Sequence, residues 1–167
     1  MRRIFLTTDS HLGHSKMQQY CGRPRDFEEL ILKNLAHSIL PEDILIHLGD
    51  VSFDNSTYWH SQLMSRVWGE KWLVKGNHDK ASNNWYLDHG WKFVCESFSD
   101  ILFGKKILFS HIPAADNGYD INIHGHLHNN LHRHEPELLK IKNDKQLLLA
   151  IENNDYQPWL LKNLLGV

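Results

Sequence analysis

The sequence predicts a single α/β domain. Three features predict it. A short apolar run ending in a polar loop occurs three times, segments with helical apolar spacing separate these runs, and the second half changes to closely spaced short apolar runs. The chain has 167 residues, of which 41% are hydrophobic and 23% charged. Those are the proportions of an ordinary globular domain with a sizeable core. No repeat, low-complexity tract or Ser/Gly linker interrupts the progression, so one domain is assigned to 1–167.

The first strand is expected from Ile4 to Thr8, where the apolar run gives way to the polar Asp9-Ser10-His11-Leu12-Gly13-His14. Asp26 is placed to cap a helix from Phe27, with Glu29 in its first turn. Phe27, Leu30, Ile31, Leu35 and Ile39 mark its apolar face, and Pro41 stops it. Ile44 to Leu48 form the second strand, ending in Gly49-Asp50. A helix from about Thr57 to Trp68 follows, with Trp59, Leu63 and Val67 on one side. Trp72 to Val74 form the third strand and end at Lys75-Gly76-Asn77-His78-Asp79. After a short helix near Trp85 to His89, closed by Gly90, strands are expected at Lys92–Glu96, Ile101–Phe103, Lys106–Ser110, Ile121–His124 and Leu147–Ile151. Phe103-Gly104-Lys105-Lys106 reads as a turn.

Charge and composition exclude several classes. The formal net charge is −2, so the surface carries no broad cationic field and no extended nucleic-acid face. A small phosphorylated partner fits better, because a bound pair of divalent ions would make the site locally positive. Cys21 and Cys95 lack CxxC spacing and read as reduced structural thiols. The apolar run behind Arg2-Arg3 is too short for a signal peptide, and no segment is long enough to span a membrane. The expected location is the cytoplasm.

In open α/β sheets the strand C-termini open onto a shared crevice. Asp9, Asp50 and Asn77 follow the first three strands, while His111, His126 and His128 follow later ones. With His11 they are seven potential ligands from five places. Carboxylate, amide and imidazole donors without thiolates suit Mn, Fe, Zn or Mg. Two such ions need a bridging carboxylate, for which Asp50 is the candidate, and can hold a hydroxide poised to attack phosphorus.

Asp9-Ser10-His11, Gly49-Asp50, Gly76-Asn77-His78-Asp79, His111 and Gly125-His126-Leu127-His128 resemble the ordered motif set of calcineurin-like metallophosphoesterases. The tail from Ile151 to Pro158 is similar to the closing segment of small bacterial and phage members. The resemblance implies a two-sheet β sandwich flanked by helices, in four layers αββα. It implies a first metal held by Asp9, His11 and His128, a second by Asn77, His111 and His126, and Asp50 bridging them, with manganese the first choice of ion. His78 would stabilise the transition state and protonate the leaving oxygen, and Asp79 would tune it. The interval between His11 and Asp50 is longer than in the most compact members. A related subgroup carries a similar stretch, which implies that His14 and Arg23 face the substrate phosphate.

The reading is therefore a metal-dependent phosphodiesterase on a small nucleotide-like substrate. The alternatives are a phosphomonoesterase, then a nuclease, then a non-catalytic metal-binding interaction module of the kind found in retromer. Each motif alone is weak: Gly-Asn-His-Asp could be only a turn, and Gly-His-Leu-His a chance product of thirteen histidines. Order and placement after strands carry the argument. His37, His60 and His89 read as solvated or packed helix residues, His47 as a satisfied core histidine, and His124 as either buried in its strand or behind the ligands. Leu131-His132-Arg133-His134 reads as a solvated loop, and Trp59, Trp68 and Trp72 as packing against the sheet.

Overall fold

The computed structural model of the protein describes residues 2–129 and 144–167. In chain order its elements are β1 (Ile4–Thr7), α1 (Met17–Tyr20), α2 (Phe27–Ser38), β2 (Ile44–His47), α3 (Thr57–Arg66), β3 (Glu70–Val74), α4 (Asn83–Asp88), β4 (Phe93–Cys95), β5 (Ser97–Leu102), β6 (Lys105–Ser110), β7 (Ile121–His124), β8 (Gln146–Leu148), β9 (Trp159–Leu160) and α5 (Leu161–Leu164). Single 3-10 turns lie at Phe53–Asn55 and Ile151–Asn154. The strands form two mixed sheets, ordered β4-β3-β2-β1-β9 and β5-β6-β7-β8. Helices flank them, giving the α/β sandwich expected.

The alternation of side chains along each strand explains the layering. Phe5, Leu45 and Leu73 point to one face of the first sheet, where they meet Phe27, Ile31, Leu32, Leu35 of α2 and Leu63 of α3. Leu6, Ile44, Ile46 and Val74 point to the other, where they meet Ile107, Phe109 and Ile123 of the second sheet. Because both faces are covered, the central strands read as continuous apolar runs. Leu161 and Leu165 add the C-terminal segment to the core between the sheets.

β1, β2, β3 and β4 are mutually parallel, as are β6, β7 and β8, whereas β9 and β5 join their sheets antiparallel. The loops after β1, β2 and β3 therefore emerge at one edge, and those after β6 and β7 at a matching edge of the second sheet. The Gly125 amide donates to the His111 carbonyl at 3.0 Å and ties the latter two together.

Several boundaries differ from expectation for identifiable reasons. Asp26 makes no side-chain cap on α2. The capping side chains are Ser56 and Ser82, which accept from Trp59 N and Trp85 N. Helix α3 stops at Arg66, so Trp68, expected to pack against the sheet, is 64% exposed. β5 begins four residues before the expected Ile101, because Ser97, Ser99 and Asp100 are polar and exposed and hide the strand's start from a hydrophobicity reading. Phe103 (φ 53°) and Gly104 (φ 75°) form the two-residue turn into β6. The last expected strand is shorter, β8, with Ile151 in the following 3-10 turn. β9, two residues long, was not anticipated. Leu131-His132-Arg133-His134 lies outside the described residues.

Candidate metal centre

The loops after β1 and β2 run side by side beyond the strands. Asp9 N donates to Gly49 O, His11 N to Asp50 O and Leu12 N to Val51 O, at 2.9, 2.9 and 3.1 Å. This pairing carries Asp9, His11 and Asp50 to the crevice with their backbones in the left-handed region, at φ 49°, 46° and 56°. His126 and His128 are there too, at 71° and 50°. Five of the seven anticipated ligands thus sit in a conformation costing about 1–3 kcal/mol each for a side-chain-bearing residue, which persists because the surrounding contacts fix it.

Two glycines make the convergence possible. A Cβ on Gly76 would run into the Asp50 carboxylate, and one on Gly125 into the Asp9 carboxylate and Thr8 hydroxyl. Their role is close backbone approach to the carboxylates.

The donor atoms fall into two groups. Asp9, His11 and His128 bring ligand atoms within 4.8 Å of one another, as do Asp50, His111 and His126. Asn77 joins the second group, its Oδ1 3.0 Å from His111 Nε2. Asp50 Oδ2 lies between the groups, 3.6 Å from His11 Nε2 and 3.4 Å from His111 Nε2. That is the placement of a bridging ligand. Its other oxygen accepts from His78 N at 2.8 Å.

The residues fit divalent ions on the structure's own terms. Asp9 Oδ2 is spent on Thr8 Oγ1 and His126 N, while the buried Oδ1 has no hydrogen-bond partner, nor has the buried His11 Nε2. An orphaned carboxylate oxygen and imidazole nitrogen are costly to bury unless a cation sits between them. In the second group, His111 Nδ1 meets Leu48 O at 2.7 Å, which fixes that nitrogen as the donor and leaves Nε2 to face Asn77 Oδ1, His126 Nδ1 and Asp50. These are lone pairs aimed at a common point. Burial lowers the basicity of His111, but the Asp50 and Asp9 carboxylates outweigh it and push its pKa up to about 9. A proton then does part of a cation's work. His11, with less compensation, is held well below the usual histidine range by burial.

Behind the donors lies a layer the sequence reading did not assign. Glu152, in the turn after β8, accepts from Arg23 Nη2 at 2.6 Å and from Arg23 Nε at 3.0 Å, and meets His128 Nδ1 at 3.1 Å. Glu152 thereby orients His128, leaving Nε2 toward Asp9 Oδ1 at 3.8 Å. Cys21 brings its sulfur into the same neighbourhood as His128 and Glu152. The expectation that Arg23 faces the substrate phosphate is corrected here. Its side chain is fully buried, and its remaining donors reach Asp9 O and Ser10 O at 2.7 and 2.8 Å. Arg23 braces the first ligand loop from inside. The only sequence signal for Glu152 was its position in the closing segment.

Asp79 also works on the backbone. Its oxygens accept from Asp50 N, Gly76 N and Val51 N at 2.7, 2.8 and 3.2 Å, and no hydrogen bond joins it to the His78 ring. Burial raises its pKa to about 6. His78 is exposed at the rim, with its ring 5.4 Å from that of His11. His14 stands on the same side, stacked on Phe53 at 4.6 Å. His47 is a satisfied core histidine: Nδ1 accepts from Gly49 N, Nε2 bonds Ser10 Oγ at 2.7 Å, and burial lowers its pKa to about 3.

Open grooves lie on both sides of the donor cluster. One, of about 420 Å³, runs from His11 and His78 past His14 to Tyr20 and Phe53. The other, of about 340 Å³, runs from Asn77 and His111 past Lys75 to Ser97 and Ile112.

The profile described as calcineurin-like phosphoesterase matches residues 2–162. The chain is a calcineurin-like phosphoesterase. Among curated proteins it is 30% identical to the uncharacterized protein MJ1445 of Methanocaldococcus jannaschii, over 95% of this chain and 86% of the other. Among solved structures it superposes on the protein of unknown function AQ665 from Aquifex aeolicus with a TM-score of 0.78, at 26% identity over 99% of each chain. The nuclease MPE of Pseudomonas putida shares the fold at a TM-score of 0.50 and 20% identity, over 75% of this chain and 61% of that one. The family uses a dinuclear divalent-ion site, and this phosphoesterase has two groups of candidate ligands. No helix among the described residues is long and apolar enough to cross a membrane.

Proposed function

We propose that this phosphoesterase is a metal-dependent phosphodiesterase acting on a small nucleotide-like substrate. The observation that carries the diester reading is the pair of grooves flanking the donor cluster. A phosphorus held at the cluster has room for a substituent on each side. With a formal charge of −2, the chain offers little to the long backbone of a nucleic acid.

Asp9, His11 and His128 would hold one ion, Asn77, His111 and His126 the other, and Asp50 both. Manganese suits this oxygen and imidazole set, with iron, zinc and magnesium next. When bound, the pair would supply positive charge to the phosphoryl oxygens and an activated water for attack. His78, exposed beside the cluster, would donate a proton to the departing oxygen. Asp79 acts through Asp50, fixing the loop that carries it. The free, half-buried Cys21 and Cys95 suit a reducing compartment, which supports a cytoplasmic setting.

The test is hydrolysis of bis-p-nitrophenyl phosphate against p-nitrophenyl phosphate by chelator-stripped protein, restored separately with Mn, Mg, Zn and Fe. Diester cleavage that returns with metal and falls by about 10²–10⁴ in the His78→Ala variant is expected. Monoester preference would make the protein a phosphatase. Metal uptake without turnover of either ester would favour the interaction module.

A further inference from the structure

We propose that the groove bounded by His14, Tyr20 and Phe53 is a nucleobase site, selecting substrates whose phosphate carries a nucleoside on the His78 side. The proposal rests on the phosphoester reading above, which places the phosphate at the donor cluster. Tyr20 and Phe53 are each 47% exposed. Single exposed aromatic residues are ordinary. These two share one groove with His11 and His78, and that groove, at about 420 Å³, has the size of a small-molecule site.

The rings are arranged for stacking. His14 lies parallel to Phe53, at 4.6 Å and 19°, and Tyr20 meets His14 edge-on at 6.1 Å. Phe53 comes from the loop after β2, far from His14 in sequence, and its amide donates to Leu12 O at 2.9 Å, beside the first ligand loop. Asp54 and Asn55 follow in the left-handed region, at φ 54° and 48°. Two consecutive non-glycine residues in that conformation are unfavourable unless their surroundings fix them. Phe53 itself stands at the groove instead of in the core. An aromatic wall of this kind gains from a second flat π surface, and base-on-aromatic stacking tolerates any base. Lys16 at the same groove adds a positive charge.

The experiment is calorimetric titration of the metal-loaded protein with three probes: inorganic phosphate, and the non-hydrolysable phosphonate analogues of AMP and of ribose 5-phosphate. The two analogues differ only in adenine. The adenine-bearing one is expected to bind about ten- to a hundredfold more tightly. That advantage should vanish in Phe53→Ala, persist in Phe53→Trp and be lost in Phe53→Leu, which keeps apolar bulk without a ring face. Phosphate affinity should be the same in all four proteins. Equal affinity for the two analogues, with phosphate still bound, would overturn the nucleobase site and leave the phosphoesterase intact. An adenine advantage surviving in Phe53→Ala and Tyr20→Ala would place the base elsewhere and overturn it too. Failure of phosphate itself to bind would overturn both readings.

Discussion

At the scale of single residues, the centre is built by backbone conformation as much as by donor chemistry. Asp9, His11, Asp50, His126 and His128 all hold positive φ, a state that few side-chain-bearing residues adopt. Gly125 admits the Asp9 carboxylate to the cluster, since its missing Cβ is the space that carboxylate occupies. Gly125→Ala should therefore cost about 1–3 kcal/mol from overpacking and displace Asp9 Oδ2 from His126 N. Thermal denaturation and metal analysis check it: the expected result is a lower midpoint with less than two equivalents of metal bound. A variant that keeps both equivalents would remove Gly125 from this role. The motif was legible in the sequence, but the reason for its glycine was not, because the clash is with a residue 116 positions away.

At the scale of elements, the ligand loops are held by contacts between segments distant in the chain. The turn after β8 supplies Glu152 to Arg23, which precedes α2, and to His128, which follows β7. Glu152→Gln would leave the Arg23 guanidinium buried without its counter-charge, at a cost of about 3–5 kcal/mol. It should also weaken metal binding by about 10–100-fold, because His128 loses the group that orients it. Urea unfolding with a parallel metal titration reads both effects, and unchanged metal affinity would limit Glu152 to a structural part. Helix α3 is joined to the segment before β4 by Trp91 Nε1, which donates to His60 Nδ1 at 3.1 Å. Burial lowers the His60 pKa to about 4. Above pH 6.5 the ring is neutral folded or unfolded, so its contacts carry no proton penalty. As pH falls from 6.5 toward 4 the unfolded chain takes up the proton first, and stability is lost across that window. A depressed pKa of this size corresponds to a few kcal/mol at most. His60→Gln should flatten the dependence of unfolding free energy on pH between 6.5 and 4; an unchanged slope would assign the loss to other groups.

At the scale of the whole molecule, two sheets bring their strand C-termini to one crevice, so the candidate metal centre also joins the sheets. Asp9, Asp50 and Asn77 come from the first sheet, and His111, His126 and His128 from loops of the second. Ions bound across that junction favour the folded state by mass action, by about 2.7 kcal/mol at a hundredfold excess over the dissociation constant. For a chain of this length that is roughly 5–10 °C in the midpoint. Differential scanning calorimetry of chelator-stripped against manganese-loaded protein should show this rise. Identical midpoints, with metal demonstrably bound, would mean that the folded and unfolded chains bind it equally.

Much of the architecture is readable from local pattern. Continuous apolar runs at Phe5, Leu45 and Leu73 mark strands covered on both faces, and the spacing of Phe27, Ile31 and Leu35 marks the helix that covers one of them. Donor types, their order and their position after strands point to divalent ions and to phosphoester chemistry before any coordinate is known. The first four residues of β5, and all of β9, escape this reading because exposed polar residues or a length of two leave no periodic signal. Which polar residue faces the crevice and which braces it is decided only by the tertiary structure. Arg23 and Asp79 sit in the right motifs yet turn inward, one to Glu152 and two loop carbonyls, the other to three backbone amides. The physical reason is that a buried charge goes where its partners are, and those partners come from distant parts of the chain, 129 residues away for Arg23 and Glu152. Sequence determined the chemistry available, and long-range packing determined where each group was allowed to point.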